Sequence, residues 1–242
     1  MALRITYLYN SGFILEFPKT AIVVDYYAPG HSAAGLASAI HTALTQPGKK
    51  PYVFVTHSHA DHFDPTVATW RSSIADLGFI VSGDVSLECI GGTTIINPGD
   101  VFNDGALAVR AFGSTDAGVS LLIETDGLSV FHAGDLNNWH WNEECSPGEA
   151  AAYEASYLSE LRLLLEYTDT LDVAIFPIDP RLGRDYTRGA QQFLERMKVR
   201  FFVPMHFREE YAAANAFSKE ATKYGTRFVE LHNMCQAFDI PF

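Results

Sequence analysis

The chain has 242 residues and a formal charge of −12, so it is long enough for a large core and too acidic for a phosphate backbone to be its main partner. Apolar residues make up 48% and aromatics 13%, the mean hydropathy is +0.02, and no run approaches the length of a membrane span. Three widely spaced cysteines, Cys89, Cys145 and Cys235, exclude a disulfide framework and a cysteine-based zinc knuckle. Met1 to Phe17 mixes Arg4, Asn10 and Glu16 with apolar residues and lacks the ordered regions of a signal peptide. The expectation is one cytoplasmic domain over residues 1–242, without nucleic acid or membrane as partner.

The first segments, Leu3–Tyr7, Phe13–Phe17 and Ala21–Val24, read as short strands separated by Asn10-Ser11-Gly12 and Pro18. Asp25 then stands at a strand end beside a turn. Ala33–Leu44 predicts a helix, and Tyr52–Val55 a buried strand. The next stretch, His57-Ser58-His59-Ala60-Asp61-His62, packs three histidines and a carboxylate into six residues. Packing alone does not explain such a set, whereas imidazole and carboxylate are the ligands that zinc and related ions favour. In extended chain His57 and His59 face the same way and can reach one ion together. Asp64 suits a helix N-cap and Pro65 the first helical position, and Val67, Trp70, Ile74 and Leu77 predict a helix over 65–77 closed by Gly78.

Beyond it, Phe79–Val81, Thr93–Ile96 and Leu107–Phe112 read as strands, with turns at Gly91-Gly92, Asn97–Asp100 and Asn103–Gly105. Asp126-Gly127 predicts a hairpin between Val119–Glu124 and Leu128–Ala133, and its second arm delivers Asp135. In a regular strand His132 faces away from Asp135, so it reads as packed or hydrogen-bonded. Ser146, Pro147 and Glu149 predict a capping box at the start of a helix over 146–167. Leu171–Ile178 reads as a strand ending at Asp179, Gly189–Lys198 as a short helix, and Phe201–Pro204 as a strand ending at His206. A helix over 209–224 and strands around Arg227–Leu231 and Gln236–Ile240 complete the chain. Strands and helices alternate in two halves, each opening with several strands, which fits sheets layered face to face with helices outside.

The His57-x-His59-x-Asp61-His62 pattern resembles the signature of the metallo-β-lactamase superfamily of metal-dependent hydrolases. The opening Asn10–Glu16 is similar to the subgroup that includes ascorbate-6-phosphate lactonase. The resemblance implies an α/β fold, a four-layer αββα sandwich, with two divalent ions, most readily zinc, with manganese or iron as alternatives. It implies that His57 and His59 hold one ion, Asp61 and His62 the other, that Asp135 bridges them, and that His206 joins the second. Asp25 matches the family's aspartate supporting the metal-binding loop. The family usually has one more histidine between the motif and the bridging aspartate. Here Phe112-Gly113-Ser114-Thr115-Asp116-Ala117-Gly118 has none, so Ser114, Asp116 or His140 is left to take that place.

The chemistry implied is a metal-bound hydroxide attacking a small ester, lactone or phosphoester, with Asp61 orienting the nucleophile. The absence of a Gly-x-Ser-x-Gly elbow weighs against a serine hydrolase. Tyr26, Tyr27, Trp139, His140, Trp141, Asp179 and Arg181 stand near strand ends as candidates for a small-molecule substrate pocket. Two rivals remain, a di-iron redox protein and a non-catalytic metal-binding module.

Overall fold

Side chains two apart on a strand share a face, and the central strands of the first half are apolar on both. In the computed structural model, which describes residues 2–30, 33–86 and 92–241, this half forms β1 (Ala2–Tyr9), β2 (Gly12–Glu16), β3 (Thr20–Val24), α1 (Ala33–Leu44), β4 (Lys50–Val55), β5 (Gly78–Ser82) and β6 (Thr93–Ile96). Ile22, Val24, Tyr52 and Phe54 join a buried cluster shared with the second sheet. Their neighbours Ala21, Val23, Val53 and Val55 pack on the opposite face against Leu36, Ile40 and Leu44 of α1. Cys89 and Gly91, the latter in an expected turn, lie outside the described residues.

The second half repeats the plan with β7 (Val101–Asn103), β8 (Ala108–Phe112), β9 (Ser120–Thr125), β10 (Leu128–His132), α2 (Pro147–Tyr167), β11 (Thr170–Pro177), α3 (Arg188–Leu194), β12 (Lys198–Met205), α4 (Tyr211–Ala216), α5 (Ser218–Lys223), β13 (Arg227–Phe228) and β14 (Ala237–Pro241). The strands make two seven-stranded sheets, ordered β14-β1-β2-β3-β4-β5-β6 and β13-β12-β11-β10-β9-β8-β7. Each sheet is antiparallel through its meander and parallel beyond it, with the change at β3/β4 in one and β10/β11 in the other. Both changes follow from a helical crossover, α1 and α2, because adjacent parallel strands need one. The carboxyl ends of β3, β4, β10, β11 and β12 carry the residues that build the site, the usual place for ligands in such sheets. Phe193 of α3 stacks on Phe176 of β11 (ring centroids 4.6 Å apart), holding the outer layer to the second sheet. These are the layers of an αββα sandwich.

Three local expectations are corrected. The helix over 65–77 is a 3-10 helix over Pro65–Ser72, capped by Asp64 as expected, and Gly78 begins β5. The helix over 209–224 is two short helices that meet at Phe217, whose buried ring packs on Phe202 and Phe228. Strand β7 was not expected, because three residues between two turns carry no readable alternation. The capping box at Ser146 and Glu149 is present. Among the described residues no helix is long and apolar enough to cross a membrane.

Candidate metal centre

The motif leaves β4 at Thr56 and runs as open loop through 57–59 before turning at 60–62. It is anchored from below by Asp25, fully buried at the end of β3 with a left-handed φ of 50°. Asp25 Oδ1 accepts the Thr56 backbone N–H (2.8 Å), and Oδ2 accepts the Thr56 hydroxyl (2.6 Å) and His62 Nδ1–H (2.8 Å). This fixes one proton of His62 on Nδ1 and turns Nε2 toward the centre, where a metal ion would take the place of a second proton. Two glycines bring the other loops against the motif. At Gly118 (φ +64°) a Cβ would lie 2.0 Å from the Thr56 carbonyl oxygen, and at Gly134 (φ +53°) 2.6 Å from that of Val119. Only glycine allows that approach.

Asp135 stands in the middle. Its Oδ2 lies 3.3 Å from His57 Nε2 and 3.8 Å from His59 Nδ1, whereas Oδ1 lies 3.1 Å from His62 Nε2 and 3.4 Å from His206 Nε2. Each oxygen thus faces a different pair of imidazoles. Asp61 Oδ2 lies 3.8 Å from His206 Nε2. Among the described residues three overlapping groups have donor atoms close enough to share a cation: His57, His62 and Asp135; Asp61, His62 and His206; and His59, Asp116 and Asp135. His62 Nε2 and Asp135 Oδ1 are buried, 3.1 Å apart, and angled so that neither serves as the other's hydrogen-bond partner. Two orphaned buried groups aimed at shared space, surrounded by imidazole and carboxylate, fit a divalent ion.

The charges agree. Burial works against an imidazolium at His62, but the Asp135 and Asp25 carboxylates push it up to about 10. Burial likewise opposes charge on Asp135, yet the neighbouring imidazoles of His62 and His206 hold its carboxyl well below the usual range. A proton on His62 therefore offsets the acidic cluster where a metal ion would do so instead.

The residues expected at the site separate into those brought together and those turned away. His57, His59, Asp61, His62, Asp135 and His206 converge, and Asp25 supports the motif loop from beneath. Of the three candidates for the vacant histidine place, Asp116 joins the cluster, its Oδ2 3.9 Å from His59 Nδ1. Ser114 instead turns its hydroxyl toward the Asp116 backbone N–H (3.4 Å). His140 is corrected: it is buried, with Nε2 on the Asp185 carbonyl (3.1 Å) and Nδ1 accepting the Asn142 N–H, so neither nitrogen is free. Asp179 is also corrected. It is buried beneath the centre and lines only a smaller cleft beside the main one, accepting His206 Nδ1–H (2.9 Å) and gripping Arg181 through Nε and Nη2. Burial opposes its charge, but His206 and Arg181 hold its pKa at about 2. Thus Asp179 does for His206 what Asp25 does for His62. His132 is packed as expected, on the Ser11 carbonyl (2.9 Å).

One residue read only as a turn former belongs to the site. Asn10, buried and left-handed (φ 51°), donates from Nδ2 to Asp61 Oδ2 (3.1 Å) while its backbone oxygen accepts the His206 N–H (3.0 Å). The open side of the centre is a cleft of about 550 Å³, walled by Tyr27, Trp139, Trp141, Tyr153, Arg181 and Arg208. Trp139 is fixed by its Nε1–H on the Asp135 carbonyl (2.8 Å). Tyr26 instead packs under the loop on Trp70.

A two-sheet sandwich with histidines and carboxylates gathered at its strand ends defines a metal-binding fold class. The sequence comparisons identify which one. The family model described as "Beta-lactamase superfamily domain" matches residues 4–147, more than half of the chain. A UPF0173 metal-dependent hydrolase of Thermus thermophilus is 26% identical over 224 residues, covering 84% of this chain and 83% of the relative. Among solved structures, the metallo hydrolase Igni18 of Ignicoccus hospitalis superimposes with a TM-score of 0.66 at 18% identity, over the full length of both chains. The metallo-β-lactamase fold protein YhfI of Bacillus subtilis does so with 0.65 at 12% identity, over 98% of this chain and 99% of that one. The chain belongs to the metallo-β-lactamase superfamily of metal-dependent hydrolases.

Proposed function

We propose that this protein hydrolyses a small ester, lactone or phosphoester in the cytoplasm, using two divalent cations, most readily zinc. The observation that carries this reading is Asp135, whose two oxygens face different imidazole pairs. His57, His59 and Asp116 would hold one ion, Asp61, His62 and His206 the other, with Asp135 shared. When bound, such ions lower the pKa of a water and polarise the oxygen of the bond to be broken. The chain's own residues do the rest. Asp61, oriented by Asn10, can accept a proton from the attacking water, and it lies on the open cleft where a substrate enters. Asp25 and Asp179 keep His62 and His206 in the tautomer that offers Nε2 inward. The tryptophan wall excludes water from one side and leaves space for a small molecule.

The test is turnover of an ester, lactone and phosphodiester panel by chelator-treated protein before and after zinc or manganese is restored. Turnover that returns with metal and is lost in Asp61→Asn at near-normal metal content supports the reading. Metal-independent turnover, or near-normal turnover in Asp61→Asn, contradicts it. A second reading, redox chemistry at an iron pair, gains support from Asp116, which groups with His59 and Asp135 and with His57 would complete an imidazole-and-carboxylate set that non-haem iron accepts. Iron loading followed by oxygen uptake separates the two.

A further inference from the structure

Arg181 and Arg208 both line the cleft beside the candidate ligands, and they are not equivalent. Arg181 is committed through Nε and Nη2 to Asp179. Arg208 is exposed, and among the described residues its guanidinium has no ion pair or hydrogen bond, so the nearby acids of the centre do not neutralise it by contact. Its position is nevertheless fixed. The backbone at Arg208 is left-handed (φ 51°), a conformation costly for a residue with a side chain. It is held there by Asn10, whose Oδ1 accepts the Arg208 N–H (3.3 Å) while its Nδ2 binds Asp61. One buried amide therefore sets the Arg208 backbone in register with the centre.

A free guanidinium on a backbone registered to the centre, beside aromatic walls, has a definite chemical use. We infer that Arg208 anchors an acidic group of the substrate, so that the enzyme takes small organic anions whose carboxylate or phosphate lies apart from the bond that is cleaved. Arg181 adds a second, partly offset positive charge, and Trp139, Trp141 and Tyr153 take the flat or apolar body of the molecule. The two arginines also line an adjoining cleft of about 330 Å³, but Asp179, Glu209 and Glu210 line it too, so the acidic end is held at the Arg208 rim of the main cleft and does not extend into this one. This inference rests on the hydrolase reading for the word substrate, whereas anion binding is measurable without turnover.

The experiment is calorimetric titration of zinc-loaded protein at low ionic strength with phenylphosphonate, phenylacetate and the neutral dimethyl phenylphosphonate. The expected result is preference for the anions over the neutral ester, and about a 10- to 100-fold loss of that preference in Arg208→Gln, the size of a charge-assisted bond. Arg208→Lys should recover part of it, because charge is kept and the planar fork is lost. Salt should weaken binding in the wild type more than in Arg208→Gln. Comparison of the two anions assigns the acidic group as phosphate-like or carboxylate. Equal affinity of wild type and Arg208→Gln for both anions, which places them on the metal alone, would overturn the inference, as would a neutral ester bound as tightly as the anions. Arg208-dependent binding without any turnover would overturn only the hydrolase reading, and turnover of anionic esters without Arg208 dependence would overturn only this one.

Discussion

Replacing Asp25 by asparagine tests how the fold prepares a metal ligand from beneath. Asp25 accepts three hydrogen bonds, from the Thr56 backbone, the Thr56 hydroxyl and His62 Nδ1, at 2.8, 2.6 and 2.8 Å. Asparagine keeps the first through its Oδ1. Its amide nitrogen then stands where Oδ2 was, and the Thr56 hydroxyl accepts from it only by donating to His57 Nδ1, 3.0 Å away, which moves the His57 proton to Nε2. His62 is forced the same way. To accept from the new amide it must release the Nδ1 proton and carry it on Nε2, the atom that faces Asp135. Metal must then displace that proton from a tautomer the pocket prefers. Loss of such supporting partners lowers metal affinity about 10- to 100-fold, or about 1.4–2.7 kcal/mol. Thr56→Val provides the comparison, since it removes the hydroxyl's bonds to Asp25 and His57 without reversing either and leaves His62 on Asp25. Zinc competition against a chromophoric chelator should show Asp25→Asn weakened by at least tenfold and Thr56→Val by clearly less, with circular dichroism unchanged in both. Wild-type affinity in a folded Asp25→Asn protein would refute the tautomer argument.

Asp116→His should restore a third imidazole to the first ion and shift preference from manganese toward zinc, measured as the ratio of the two affinities; an unchanged ratio would show that Asp116 is no ligand. Asp104, in the β7–β8 turn, accepts from Lys50 and the Tyr52 hydroxyl of β4, and although burial opposes it these partners lower its pKa to about 2. A carboxylate depressed in the folded state contributes stability above its unfolded pKa of about 4 and loses it as pH falls toward 2. Because Asp104 is largely exposed the amount is about 1 kcal/mol or less, and the stability gap between wild type and Asp104→Asn should close over that window in urea titrations. Phe193→Ala removes a ring stacked on Phe176 and packed on Phe131, and should cost about 3–5 kcal/mol in denaturant unfolding.

Legibility in the sequence follows whether a residue's role is set by its neighbours along the chain. His57 to His62 announce themselves because chemistry and spacing coincide, and Asp135 and His206 follow as polar residues ending apolar strands. The buried strands of both sheets were readable for the same reason, since burial on two faces demands apolar runs, whereas the exposed β7 was not. Roles set through space were not. Asp179 pairs with a histidine 27 positions away, and nothing near it in the chain distinguishes a pocket residue from a buried support. Asn10 looks like any turn asparagine until β12 brings His206 and Arg208 beside it. The choice among Ser114, Asp116 and His140 also required the fold, because Gly118 and the Asp185 carbonyl decide which side chain points inward.

Asp135, as a carboxylate shared between two cations, is the centre of the proposed site. Anomalous diffraction from crystals grown with zinc, collected on both sides of the zinc absorption edge, measures this directly. Two peaks are predicted, one on each side of Asp135, the first against His57, His59 and Asp116 and the second against Asp61, His62 and His206. A single peak remote from Asp135, or no peak in fully loaded protein, would contradict the account.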